Sequence, residues 1–429
     1  MSGRLETYLN GAFVGHFTDE GGGRISFAYD PGWRAAAIAR RAHQISVSLP
    51  VSAEGPLDAT AYVAGLLPDS VRHRDLLADQ LGIAEDPSDF AFLSKLGRDS
   101  AGALVILPEG EGLARNAAPA VDWLDEATLA DHLRGLPRRP LLIDDGEGIV
   151  LSLAGVNDKA AVVVKGGRIG LPRNGLPSTH IIKVDIPGLE DSIVTEHFCL
   201  SLARAVGLRT PRSAIHQAED QTFMLMSRYD RSVVDGRILR VHQEDFCQAL
   251  GVMPGRKYQR HGGPGWADGF RLMAATRNPA ASRSALLRMA VFQFLTGNPD
   301  AHAKNYSLVY RGDEGLLELA PIYDLNNAAA FRRYFKTAKP IMAMRIGDKD
   351  NRDEVGPEDW DVFARECGLS PEVVFRTVTD KARSILEEIG PVQTACPDRE
   401  AVRVAADDIR DRCAAWAADG PEPADEPSP

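Results

Sequence analysis

The chain has 429 residues, 44% hydrophobic and 25% charged, with a formal net charge of −11. That length exceeds one ordinary core, so two or three lobes are expected, in a chain whose composition is that of a soluble globular protein. The acidic balance argues against a whole surface gripping nucleic acid, because phosphate binding needs local positive potential.

In chain order, residues 1–110 read as a small α+β accessory unit. Leu5–Leu9 and Arg24–Tyr29 alternate apolar and polar residues as half-buried strands do. A helix is expected over Val71–Leu81 and a short buried strand over Ala103–Leu107. The polar segment EGEGLARNAAP (109–119) reads as a linker. Residues 120–227 form a strand-rich lobe in this reading. Asp122–Leu136 has helical spacing, Ile149–Leu153, Ala160–Val164, His180–Val184 and Phe223–Met226 are strand-like, and Asp191 caps a helix that ends before Gly207. Residues 228–418 turn mainly helical, with Leu287, Ala290, Val291, Phe294 and Leu295 on one face of a helix over 283–296. The acidic, Pro-rich tail 419–429 is expected to be disordered.

Arg332, Arg333, Lys336 and Lys339 form a candidate local basic patch, with surface solvation the plainer reading. No apolar run approaches the about 20 residues that span a bilayer, so no membrane contact is expected. The start, MSGRLETYLNG, shows no export pattern. The five cysteines (Cys199, Cys247, Cys367, Cys396 and Cys413) form no CxxC pair, which fits reduced thiols in a cytoplasm.

The most informative run is GNPDAHAKNYSLVY (297–310), followed by a predicted hairpin and LAPIYDL (319–325). Pro299 stops the preceding helix, so Asp300 and Asn305 fall in a loop at the end of a buried element. Phosphoryl transferases need a carboxylate to accept the acceptor hydroxyl's proton and oxygen ligands to hold Mg²⁺ on the phosphates of ATP. Asp300, Asn305 and Asp324 match the order and spacing of such a set in protein kinases, with YDL where those have DFG. Lys183, within HIIKVD, is either buried against an anion or turned to water on an edge strand. Glu196 lies on the next helix, where a kinase places the partner of that lysine. The segment SLAGVNDKAAVVV (152–164) offers a small-residue loop with Lys159 beside it, able to cradle phosphates or to serve as a plain hairpin.

Together these segments resemble the HipA family of toxin kinases. The resemblance rests on SLAGVNDK, HIIKVD, TEHFCLSLARAVGL, MSRYDR, GNPDAHAKNYSL, LAPIYDL and MAMRIG, in order from about 150 to 347, with LGRDSAGALVI closing an accessory domain ahead of them. It implies a two-lobed protein-kinase-like α+β fold and serine/threonine kinase activity with ATP and Mg²⁺. It also implies Asp300 as the catalytic residue, Asn305 and Asp324 as Mg²⁺ ligands, and Lys183 as the ATP-phosphate lysine. Ala154, Gly155, Val156, Asn157, Asp158 and Lys159 would form the phosphate loop. Ser227, Arg228 and Tyr229 would form the adenine hinge, and His302, Ala303, Lys304 and Tyr323 would line the nucleotide site. Val156–Asn157–Asp158 departs from the Gln-Glu more usual in that loop.

The same resemblance implies autophosphorylation at Ser152, where added negative charge would expel the phosphate loop. Its further implications are a cytoplasmic protein target such as an aminoacyl-tRNA synthetase, growth arrest, and silencing by a HipB-like DNA-binding antitoxin that carries most operator contacts. Two other readings compete: a small-molecule kinase, and a catalytically inert repressor subunit.

Overall fold

The computed structural model describes residues 3–83, 85, 87–113, 118–137, 159–235, 237–334 and 341–418. Strands β1 (Arg4–Leu9), β2 (Ala12–Gly21), β3 (Arg24–Tyr29), β4 (Leu57–Asp58) and β5 (Leu104–Pro108) make one antiparallel sheet in the order β4-β3-β2-β1-β5. Their alternation turns Leu5, Leu9, Ile25 and Phe27 inward, against helices α2 (Thr60–Leu66), α3 (Val71–Gln80) and α4 (Asp89–Leu96). Helix α1 (Pro31–Ile38) is capped by Asp30, whose side chain accepts from the amides of Gly32 and Trp33.

The second sheet has the order β10-β11-β9-β7-β8-β6. Its members are β6 (Ala120–Trp123), β7 (Lys159–Lys165), β8 (Arg168–Arg173), β9 (His180–Lys183), β10 (Ser213–Ala218) and β11 (Gln221–Ser227). The helix expected over Asp122–Leu136 is shorter: its first residues join the sheet as β6, and helix α5 runs only over Glu126–Gly135, capped by Asp125. Helix α6 (Ser192–Ala205) also corrects an expectation. Asp191 sits at its N-cap with φ 64° and makes no side-chain cap. Asp185 does that work, accepting from the amides of Asp191 and Ile193 and from the Ser192 hydroxyl. Gly207 follows the helix in the left-handed region at φ 81°, as the spacing required.

Beyond a ribbon of β12 (Arg231–Val234) and β13 (Arg237–Arg240), the chain enters the helical lobe. Here β14 (Gln243–Asp245), β15 (Ser307–Arg311) and β16 (Leu316–Leu319) form a small antiparallel sheet beside helices α7 (Phe246–Leu250), α8 (Trp266–Leu272) and α9 (Pro279–Thr296). Helix α9 is more than amphipathic, since every residue from Met289 to Thr296 is buried. The hairpin β17 (Ile341–Ile346) and β18 (Lys349–Asn351) and helices α10 (Pro357–Glu366), α11 (Pro371–Ala395) and α12 (Glu400–Ala418) close the lobe around it.

The apolar cores span more than one unit. One core joins Leu5, Phe17 and Leu104 of the N-terminal unit to Ala160, Ile182 and Phe223 of the second sheet. The other joins α6 to the helical lobe. Buried polar contacts bind the N-terminal unit further. The Glu244 carboxylate accepts from the Val47 amide at 2.9 Å and the Ser46 hydroxyl at 2.5 Å. Asp230, held by Arg228 at 2.6 Å, accepts from the Gly102 amide at 2.9 Å. All five cysteines are free and buried.

Candidate functional site

The site begins where α9 stops. Gly297 has φ 66°, and an added Cβ there would stand 1.8 Å from an Arg352 guanidinium nitrogen, so both the turn and the packing demand glycine. Pro299 then sends the chain into an open loop. Asn298, buried, ties that loop to Asp324. Its oxygen accepts from the Asp300 amide at 3.1 Å, and its amide nitrogen donates to the Asp324 carbonyl at 3.3 Å. Asn305 closes the loop by donating to the Asp300 carbonyl at 2.8 Å. Asp324 lies beyond the β15–β16 hairpin with φ 57°, a conformation that a short polar side chain tolerates better than a branched one.

Lys183 comes from the opposite lobe. Strand β9 pairs with β7 on one side and β11 on the other, so the edge-strand reading fails and the side chain is buried. Its ammonium donates to Glu196 of α6 at 2.7 and 2.9 Å and to Asp324 at 3.0 Å. Burial opposes that charge, but the Asp324 and Glu196 carboxylates outweigh it and raise the Lys183 pKa. Asp324 answers in kind. Burial works against its ionised form, yet Lys183 and Lys159 pull its pKa down to about 2. Lys159, at the start of β7, goes the other way: burial first, then the Lys183 charge, lowers it to about 8.

These groups converge on one cavity between the lobes, lined by Lys159, Lys183, Asp300, Asn305 and Asp324. Ser227, Arg228 and Tyr229 line it where β11 leaves the sheet. Arg228 also uses its guanidinium elsewhere, on Asp230 and on Ser178 at 3.0 Å. Tyr229 stacks against Tyr323, with ring centres 5.6 Å apart. Tyr323 in turn donates to the Lys304 carbonyl at 3.0 Å. His302 lines the cavity with its Nδ1 buried and without a hydrogen-bond partner among the described residues, and burial lowers its pKa. Ala303 is fully buried, and its amide donates to the Lys257 carbonyl at 3.3 Å. Lys304 reaches the cavity edge, where its ammonium meets Asp69 at 2.7 Å.

A second cavity shares Asp300 and Asp324 with the first and is lined by Tyr258, Arg260, Asn326 and Phe331. Asp300 therefore stands between two openings, its carboxyl about half exposed. The Tyr258 hydroxyl donates to its Oδ1. Sequence reasoning missed Tyr258, Asn298 and Asp69; of these, only Asn298 carried a local sign, an Asn-Pro step directly after a helix-ending glycine.

Ala154–Asp158 and Ser152 lie outside the described residues, as do Lys336 and Lys339. The rest of the candidate basic patch is paired: Arg332 with Asp408 at 3.3 Å, and Arg333 with Glu190 at 3.5 Å. No helix among the described residues is long and apolar enough to cross a membrane.

Comparison with known proteins bears on the family and the fold. Residues 5–107 match the HipA N-terminal domain and residues 151–394 the HipA-like C-terminal domain. The Sinorhizobium fredii protein Y4mE is 38% identical over 396 residues, covering 90% of this chain and 91% of that one. The serine/threonine-protein kinase toxin HipA of Shewanella oneidensis is 27% identical over 414 residues, covering 92% and 90%. The solved complex of the Shewanella oneidensis HipA and HipB with operator DNA contains a chain that superposes with a TM-score of 0.82 at 26% identity, covering 96% of this chain and 97% of its own. With both lobes, the accessory unit and the loop sequence accounted for along nearly the whole length, the chain belongs to the HipA family, with that family's kinase-like α+β fold.

Proposed function

We propose that this protein is an ATP- and Mg²⁺-dependent serine/threonine protein kinase. The observation that supports it best is the convergence of Asp300, Asn305, Asp324 and the Lys183–Glu196 pair on one inter-lobe cavity. The donor set fits Mg²⁺, a hard cation that keeps several waters and takes one or two protein oxygens together with substrate phosphates. Asp324, held ionised, and Asn305 supply such oxygens. Bound MgATP would supply the phosphoryl group and neutralise its developing charge.

The chain's own residues then divide the work. Lys183 and Lys159 face the phosphates, Glu196 holds Lys183 in place, and Tyr229 lines the adenine end. Asp300 accepts the proton of the acceptor hydroxyl. The second cavity reaches Asp300 past Tyr258, Arg260 and Phe331, and this approach favours a polypeptide acceptor over a small enclosed one. By the resemblance to the HipA family of toxin kinases, the reading extends to growth arrest through a cytoplasmic translation target such as an aminoacyl-tRNA synthetase. It extends likewise to a HipB-like antitoxin that carries the operator contacts, and to silencing by phosphate at Ser152.

Incubation with γ-labelled ATP and a cell lysate tests the core claim. Label should appear in protein bands with the wild type and not with Asp300→Asn. Label confined to small molecules would favour a small-molecule kinase, and no labelling at all an inert repressor subunit.

Lys159 adds a pH signature. Before nucleotide binds, its ammonium titrates at about 8; beside phosphates its pKa must rise. Binding above that pH therefore takes up a proton, and affinity falls as pH rises. Between pH 7 and 9 the ATP dissociation constant should increase about tenfold, and Lys159→Met should flatten the dependence. Calorimetric titration at the two pH values reads both.

A further inference from the structure

The loop from Asp300 to Asn305 is anchored from outside its own lobe. Asp69 lies in the N-terminal unit, in the turn between α2 and α3, with only 11% of its side chain exposed. One carboxylate oxygen accepts from Lys304 at 2.7 Å and the other from Lys257 at 3.0 Å. Both lysines are largely buried as well, at 4% and 13% side-chain exposure. Burial alone would raise the Asp69 pKa, but the two ammonium groups lower it, so the carboxylate stays charged between them.

The positions of those lysines give the contact its meaning. Lys304 immediately precedes Asn305. Lys257 immediately precedes Tyr258, whose hydroxyl donates to Asp300. The Lys257 carbonyl also accepts the Ala303 amide at 3.3 Å. A single carboxylate thus fixes the loop that carries Asp300 and Asn305 together with the segment that touches Asp300 from the other side. Without it, two buried ammonium groups would be left facing each other, with Asp245 compensating Lys304 but no carboxylate bonded to either, and at least one segment would be free to move.

We propose that Asp69 is a positioning residue for phosphoryl transfer, through which the N-terminal unit sets the geometry of the Asp300–Asn305 loop. The inference rests on the kinase reading for its kinetic consequence, not for its structural one. A displacement of about 1 Å at reacting groups can cost about a hundredfold in rate, so the effect belongs in kcat. In the proposed mechanism nucleotide affinity rests mainly on Lys183, Lys159 and Asp324, whose side chains Asp69 does not touch, and it should change little.

The test compares Asp69→Asn with Ser46→Ala in the full chain. Ser46 bonds Glu244 across the same interface but does not touch the loop. In Asp69→Asn, kcat should fall about a hundredfold with KM for ATP within about twofold. Amide hydrogen exchange in a peptide spanning 298–306 should quicken. Ser46→Ala should do neither. Wild-type kcat and exchange in Asp69→Asn overturn the proposal, as does an equal loss in Ser46→Ala, which would mean general loosening of the interface. If Asp69→Asn does not fold, Lys257→Met removes one arm of the clamp, and an unchanged kcat and exchange rate there overturns the proposal too. If the wild type transfers no phosphate, the kinase reading fails, and the exchange data alone decide whether Asp69 anchors the loop.

Discussion

In Asp300→Asn, kcat for phosphoryl transfer falls about 10²- to 10⁴-fold, the range that a positioned general base contributes. The asparagine oxygen can still accept from Tyr258, and its backbone can still accept from Asn305 and donate to Asn298, so the loop keeps its shape. What disappears is the group that takes the hydroxyl proton in the proposed mechanism. ATP binding, which the proposed mechanism assigns to Lys183, Lys159 and Asp324, should therefore be retained within about threefold, and the loss should fall equally on kcat and kcat/KM. Steady-state kinetics with a phosphoacceptor protein, alongside equilibrium nucleotide binding, separates the two quantities. A variant as active as the wild type would remove Asp300 from the chemistry.

Lys183→Met produces the second large effect, and of a different kind. Lys183 donates to two carboxylates from two lobes, so its loss removes a phosphate ligand and the tie between Glu196 and Asp324 together. Transfer should fall about a hundred- to a thousandfold, comparable with removal of a preorganised electrostatic donor, and nucleotide binding should weaken with it. Stability should fall as well. Breaking a buried pair by deleting one partner costs about 3–5 kcal/mol, although Glu196 can limit that by binding a proton. Urea unfolding and nucleotide titration check both parts. The contrast with Asp300→Asn is diagnostic, because there binding and stability survive.

Much of this site can be read from the residues alone because its groups are closely spaced along the chain. Asp300 and Asn305 sit on one loop, and the helix stop at Gly297–Pro299 announces that loop. Asp324 comes one short hairpin later. Lys183 is ambiguous in sequence, since a four-residue strand does not reveal whether it has neighbours on both sides; only the pairing with β7 and β11 decides it. Asp69 and Tyr258 leave no local trace. Their roles arise from contacts 235 and 42 residues away in sequence, Asp69 with Lys304 and Tyr258 with Asp300. The fold shows the same division. Periodicity locates β1, β3, α3 and α9, whereas it takes the end of β6, Asp122 and Trp123, into a helix, because Trp123 falls two turns before the buried Ala130 of α5. Asp191 misleads as a cap for a related reason: the acidic residue nearest the helix start is not the one whose side chain folds back on it. The core shared by the units on either side of residues 109–119 leaves no local trace either, since it forms only when their apolar faces pack into one cluster.

The five buried cysteines have a practical corollary. A thiol reacts as its thiolate, and burial pushes Cys396 up to about 11 and Cys367 up to about 12, with the other three higher or similar. At neutral pH the folded chain therefore presents almost no reactive sulfhydryl to an alkylating or oxidising reagent. A reporter cysteine placed on the exposed rim of the second cavity would be labelled selectively with the natural five left in place, giving direct optical access to the opening through which an acceptor protein would approach Asp300.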